Sequence, residues 1–154
     1  GVSNNWGPLF SRWSDKWEVV RGEQSEADFL SKRVVGYDAL RWVNQKIPED
    51  SCASLLFVWG GSLMERPYVL SSVEDHIPVR SWLRLHHDRS LSMLPCEFLV
   101  VGKPVMTRKR YAFLSEEVFQ SHIEEPLTML EDLLLNDAVL VYTAKGNRVY
   151  RIQK

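Results

Sequence analysis

The apolar positions of this chain change period as it runs, and each change predicts an element. Leu40, Val43 and Ile47 recur at helical spacing, with Ala39 beside them and Trp42 widening the stripe. One amphipathic helix is therefore expected from about Tyr37 to Ile47. Pro48 stops it, because the residue before a proline is pushed out of helical dihedrals. Ala53 to Trp59 (ASLLFVW) is then apolar almost throughout, which predicts a central strand covered on both faces. Gly60 and Gly61 follow that run, and a charged Glu65-Arg66-Pro67 bend comes next.

The other segments read as pieces packed on this helix-to-strand unit. Ser25 opens SEADFLSKR as an N-cap, with Glu26 and Asp28 favouring the positive end of the helix dipole, and Gly36 interrupts it. Tyr68–Leu70 reads as a short strand. Ile77-Pro78 starts a helix to about Arg89, with Val79, Trp82, Leu83 and His86 inward. Glu97–Val101 (EFLVV) is the next central strand. Ser115 caps SEEVFQSHI, and Pro126 restarts a helix whose buried side is Leu127, Leu130, Leu133 and Leu134. Ala138–Ala144 and Arg148–Ile152 form an antiparallel hairpin, with a three- to four-residue turn through Lys145-Gly146-Asn147.

Residues 1–24 are a linking segment with Trp6, Phe10, Trp13 and Trp17, and Trp17–Val20 is an expected short strand. Such rings either cover an edge of the core or sit at the headgroup level of a membrane. The sum is one α/β domain over residues 25–154. Its sheet is mixed, with parallel central strands, helices on both faces in Rossmann-like layers and a closing hairpin.

Length and composition agree with that picture. The 154 residues suffice for one core without staples, and 45% hydrophobic with 25% charged is ordinary for a globular chain. A net charge of −1 leaves no overall electrostatic footprint for nucleic acid or an anionic membrane. No apolar run reaches 18 residues and no signal-peptide pattern is visible. Gly1 reads as a remnant of tag removal, so an excised fragment is expected.

Candidate chemistry is sparse. Cys52 and Cys96 match no zinc or redox spacing. Both open an apolar run, so a disulfide between neighbouring strands is open to them in an oxidising compartment. Bridge geometry is demanding, which favours two half-buried thiols. Adjacent His86 and His87 point about 100° apart on a helix and cannot chelate one ion together, so no metal and no cofactor is expected. GxSxG, GxGxxG and P-loop patterns are absent. Gly60, Gly61, Glu65 and Arg66 remain as ligand-binding candidates, since ligands of open α/β sheets gather at the carboxyl ends of strands and Arg suits phosphate or carboxylate. Set against that, a glycine pair more often marks a turn with positive φ, and Glu-Arg a surface pair. The basic run Arg108-Lys109-Arg110 either faces anionic headgroups or is a solvated loop.

Tyr37, Asp38, Ala39, Trp42, Asn44, Pro48 and Asp50, then an apolar strand, then Arg66 and Pro67, follow a pattern with wider similarity. With SEADFL before it and NDAVLVYTAKGNRVYRI after, the stretch from about Gly22 to Ile152 resembles the carboxyl-terminal soluble region of bacterial membrane glycosyltransferases of the GT-C class. The resemblance implies an extracytoplasmic domain on the periplasmic face of the inner membrane. Its implied partners are the transmembrane portion of its own parent and lipid headgroups or a lipid-linked sugar acceptor. The family's catalytic acids lie in early extramembrane loops, so no catalytic residue carries over to this stretch. The Asp88–Pro95 connection departs from the family pattern. A rival expectation is a free-standing small-molecule or nucleotide-binding enzyme using the Gly60–Pro67 edge.

Overall fold

The structure, a computed structural model, describes residues 20–22, 24–58, 60–70, 90–104 and 107–154. The expected helix over Ile77–Arg89, the aromatic leading segment and all but the last residue of the expected Trp17–Val20 strand lie outside the described residues.

Two helices open the described chain. In α1 (Glu26–Arg33) the Ser25 hydroxyl accepts from the Asp28 amide, the cap its sequence called for. The chain breaks at Gly36, φ +83°, and continues as α2 (Tyr37–Lys46). Ala39, Leu40 and Val43 of α2 and Ile47, which caps its end, are buried, as their spacing requires. Next come β1 (Ala53–Leu56), a 3₁₀ turn at Gly61–Leu63, β2 (Tyr68–Leu70) and β3 (Phe98–Val101). The remainder is α3 (Glu116–Phe119), α4 (Glu125–Asp137), β4 (Ala138–Ala144) and β5 (Asn147–Ile152).

One five-stranded mixed sheet, ordered β2-β1-β3-β5-β4, organises these elements. β1 lies between parallel neighbours, with Ala53 opposite Tyr68 on one side and Phe98 on the other. β5 joins β3 antiparallel, Val149 opposite Val100, and β4 closes the hairpin. Strand alternation then divides the core in two. Leu55, Phe98, Val100 and Val149 meet α2 on one face. Leu56, Leu99, Val101, Tyr150 and Ile152 meet Leu130 and Leu134 of α4 on the other. Every residue of β1 and β3 is buried, which is why both segments read as unbroken apolar runs.

Four local expectations change. The first central strand ends at Leu56, not Trp59, because Phe57 turns left-handed at φ 59°. The helix does not restart at Pro126. α3 runs through a π-helical turn, Gln120–Glu124, directly into α4. A proline has no amide hydrogen, and its ring crowds the carbonyl four residues back; the wider turn just before Pro126 accommodates it. The hairpin turn is shorter than expected. Only Lys145 and Gly146 connect the strands, at φ 52° and 79°, and two positive φ values suit the twist of paired strands.

The cysteines provide the fourth change. Cys52 and Cys96 form a disulfide, their Cα atoms 5.0 Å apart, in place of the two thiols that geometry favoured from sequence. The register of β1 on β3 brings their amino-terminal ends side by side; Cys52 directly precedes β1, and Cys96 stands two residues before β3.

Trp42 sits half-buried on α2 and stacks on Tyr142 of β4, ring centroids 5.3 Å apart. That contact ties the helix to the outer hairpin strand. Trp42→Ala is expected to cost about 2 kcal/mol, less than a fully buried tryptophan and more than a surface one. Urea melts of the two proteins check it; a loss below about 0.5 kcal/mol would mean the stack contributes nothing.

Candidate functional site

Because β2 is parallel to β1, the chain leaving the carboxyl end of β1 must return to the amino edge before β2 begins. Residues Gly60 to Pro67 make that return along α2. At its start, a Cβ on Gly60 would lie 2.5 Å from Leu40 Cδ1, and one on Gly61 2.9 Å from the Tyr68 ring. Gly60 has φ −99°, so close packing and not a left-handed turn demands glycine there. Midway, the Asn44 side chain holds both strands of the turn. Its amide donates to the Leu63 carbonyl at 2.9 Å, and its oxygen accepts from the Glu65 amide at 2.8 Å. At the end, Arg66 Nε donates to the Ile47 carbonyl at 3.4 Å, where a cation also suits the negative end of α2. Ala53 N–H then donates to the Pro67 carbonyl, joining the bend to the start of β1.

The four sequence candidates are thus strung along α2 from one edge of the sheet to the other. Gly60 and Gly61 stand near the carboxyl end of β1, while Glu65 and Arg66 reach the amino edge. Glu65 borders a 530 Å³ cavity lined by α1, α2 and the 3₁₀ turn, together with Arg41, Asn44 and Tyr37.

At the carboxyl edge the strands exit in opposite directions. β1 leads toward β2, and β3 leads toward the β4–β5 hairpin, so the gap between them is a topological switch point. Its centre is closed. A Cβ on Gly102 would lie 2.0 Å from the Phe57 carbonyl oxygen, and the Gly102 amide donates to Leu56 at 2.7 Å. Beside it, Gly36 packs on Val58. Toward the start of α2 the space opens as a 240 Å³ cavity bounded by α1, α2, Lys103 and the hairpin turn.

No family model, curated protein or solved structure matches this chain.

The cavity is held together by polar contacts that sequence reading did not single out. Lys145 reaches back from the hairpin turn to pair with Asp38 Oδ2 at 3.2 Å and donates to the Ser31 carbonyl at 3.1 Å. The Ser31 hydroxyl donates to the same Asp38 oxygen at 2.9 Å. Asn147, almost fully buried, accepts from the Lys103 amide at 3.0 Å and fixes that backbone to the hairpin. These partners are 7 to 114 positions apart in the chain, so only the fold brings them together.

The other candidate features resolve as follows. Arg108 of the basic run turns inward, donating to Glu116, to the Tyr111 carbonyl and to the Leu114 carbonyl, and lies 5.2 Å from the Phe119 ring centroid. Lys109 and Arg110 stay exposed. His86 and His87 lie outside the described residues, and among the described residues no three His, Cys, Asp or Glu side chains converge as a metal site.

Shifted titrations gather on the opposite face. Arg148 of β5 grips Glu131 of α4 through two parallel hydrogen bonds of 2.9 and 2.6 Å. The Arg148 hydrogen bond lowers the Glu131 carboxyl below its ordinary value, and burial raises the Tyr150 hydroxyl beneath it. A lowered carboxyl stabilises the fold above its unfolded pKa and loses that contribution as pH falls through the folded value. Glu131→Gln is expected to cost under about 1 kcal/mol at neutral pH, since the pair is partly solvated. Denaturant melts against pH should show that difference disappear below the ordinary carboxylate range. A cost that stays constant with pH would assign it to packing.

Proposed function

We propose that this chain is a non-catalytic, extracytoplasmic domain of a polytopic, glycosyltransferase-like bacterial membrane protein. It packs on the transmembrane portion of its own parent, at the periplasmic face of the inner membrane, and helps shape the acceptor site. The observation that carries this reading is the work done by the residues of the resemblance. Asp38 anchors the hairpin turn, Trp42 stacks on β4, Asn44 clamps the return segment, and Arg66 closes the end of α2. The pattern is therefore a framework signature of one domain, which suits a tail whose chemistry resides elsewhere.

Two further features support it. A disulfide that ties the starts of the two central strands suits an oxidising compartment. The sheet also ends in apolar edges: Tyr68, Val69 and Leu70 of β2 are 41–51% exposed, and Val139 to Val141 line β4 with Leu135 at 81% nearby. Exposed apolar edges of this kind are covered when a domain docks on a larger body.

The reading frame upstream of Val2 tests the proposal. Several hydrophobic spans are expected there, and a frame without any would overturn it.

A further inference from the structure

We propose that the 240 Å³ cavity at the carboxyl edge binds a phosphate group, either free or carried on a lipid headgroup. The site stands beside the closed topological switch point, at the carboxyl edge where open α/β sheets receive ligands. Its volume falls below the roughly 300–1,000 Å³ of whole small-molecule sites, so it takes a head group and not an entire nucleotide.

Charge sets the sign of the ligand. Among the described residues, Lys32, Lys103 and Lys145 line the cavity with Asp38 as its carboxylate, and Arg33, which has an interaction of its own, stands beside them. Asp38 is already matched with Lys145. Neither Lys32 nor Lys103 has an acidic partner among the described residues. The chain as a whole carries a net charge of −1, so this excess of cations is local and not a reflection of a basic protein.

The site is also held in shape without a ligand. Asn147 pins the Lys103 backbone, and Lys145 bridges the hairpin turn to α1 and α2. Lys103 lies along Gly146, where a Cβ would meet its Cδ at 3.1 Å, so the stem is braced while the ammonium is free to engage an anion. Lys145 is committed to Asp38 and Ser31, so the donors left for the ligand are Lys32 of α1 and Lys103 at the exit of β3. Two cations from separate segments suit a multivalent anion better than a single-oxygen partner. The inference stands on this geometry and does not depend on the membrane reading above.

Inorganic pyrophosphate titrated calorimetrically into the 154-residue chain, and flotation of the chain with phosphatidylglycerol vesicles against phosphatidylcholine ones, provide the test. Saturable binding of pyrophosphate without affinity for vesicles identifies a free phosphate. Retention on anionic vesicles that pyrophosphate competes away identifies a headgroup. In either arm Lys103→Glu should weaken binding by about tenfold or more, and Lys46→Glu, at the far end of α2, by less than about twofold. Thermal melts of both variants confirm that the exposed substitutions leave the fold intact. Absence of saturable binding in both arms, or equal weakening by the two variants, overturns the proposal.

Discussion

Gly102→Ala is expected to cost about 3 kcal/mol or more, the upper part of the range for overpacking. The added methyl would lie 2.0 Å from the Phe57 carbonyl oxygen and 3.0 Å from Val58. Backbone cannot rotate aside as a side chain can, so the exits of β1 and β3 must separate. That separation stretches the hydrogen bond from the Gly102 amide to Leu56 and disturbs the buried ends of both central strands. Domains of this size hold only about 5–15 kcal/mol in all, so the variant should melt at clearly lower urea. Gly22→Ala, where no atom lies within 4 Å of the new methyl, is the comparison for local backbone strain alone, since its φ is +75°. A Gly102→Ala loss no larger than that of Gly22→Ala would mean the two strand exits are not in contact.

Removing the disulfide is the second large effect. Cys52 and Cys96 close a loop across a separation of 44 residues, and the chain-entropy treatment gives about 4 kcal/mol for a loop of that length. Replacing both cysteines by alanine is expected to realise about 2–4 kcal/mol of this, because native-state relaxation recovers part. Cys96 is fully buried, so serine there would add an unsatisfied hydroxyl and confuse the comparison. Melts with and without reductant check the assignment. The parent protein should lose stability in reductant and the alanine pair should not respond. A parent melt that ignores reductant would remove the bridge from the account.

Much of the fold was legible because its strongest signals are local. Four alternating-face residues buried on both sides read as an apolar run, as in Phe98–Val101, and the stripe of Ala39, Leu40, Val43 and Ile47 points to one covered face. Ser25 and Ser115 capped the helices they precede. The misses are cases where distant chain decided a local outcome. Phe57 turns left-handed at the point where Gly102 meets it, and nothing in ASLLFVW marks that point. The disulfide needed the register of β1 on β3, which cysteine spacing does not contain.

The candidate site shows the same division. Gly60, Gly61, Glu65 and Arg66 stand out as neighbours in sequence, yet the parallel order of β1 and β2 spreads them across the sheet. Ser31, Lys103 and Lys145 carry no signal of a site in their own segments, and Asp38 stands out only as part of the resemblance. The four meet only once the hairpin turn folds over the start of α2. Lys145 offered one cue, as a long cation at a tight turn, but no sequence rule says where such a side chain lands.

The central proposal, a periplasmic domain tied to a membrane-spanning parent, is tested most directly by protease treatment of spheroplasts from a bacterial host that expresses the whole parent reading frame. An antibody to this domain should detect it in the membrane pellet after alkaline carbonate washing, and external protease should remove the signal while the inner membrane stays sealed. A signal in the soluble fraction, or one protected until the membrane is permeabilised, would contradict it.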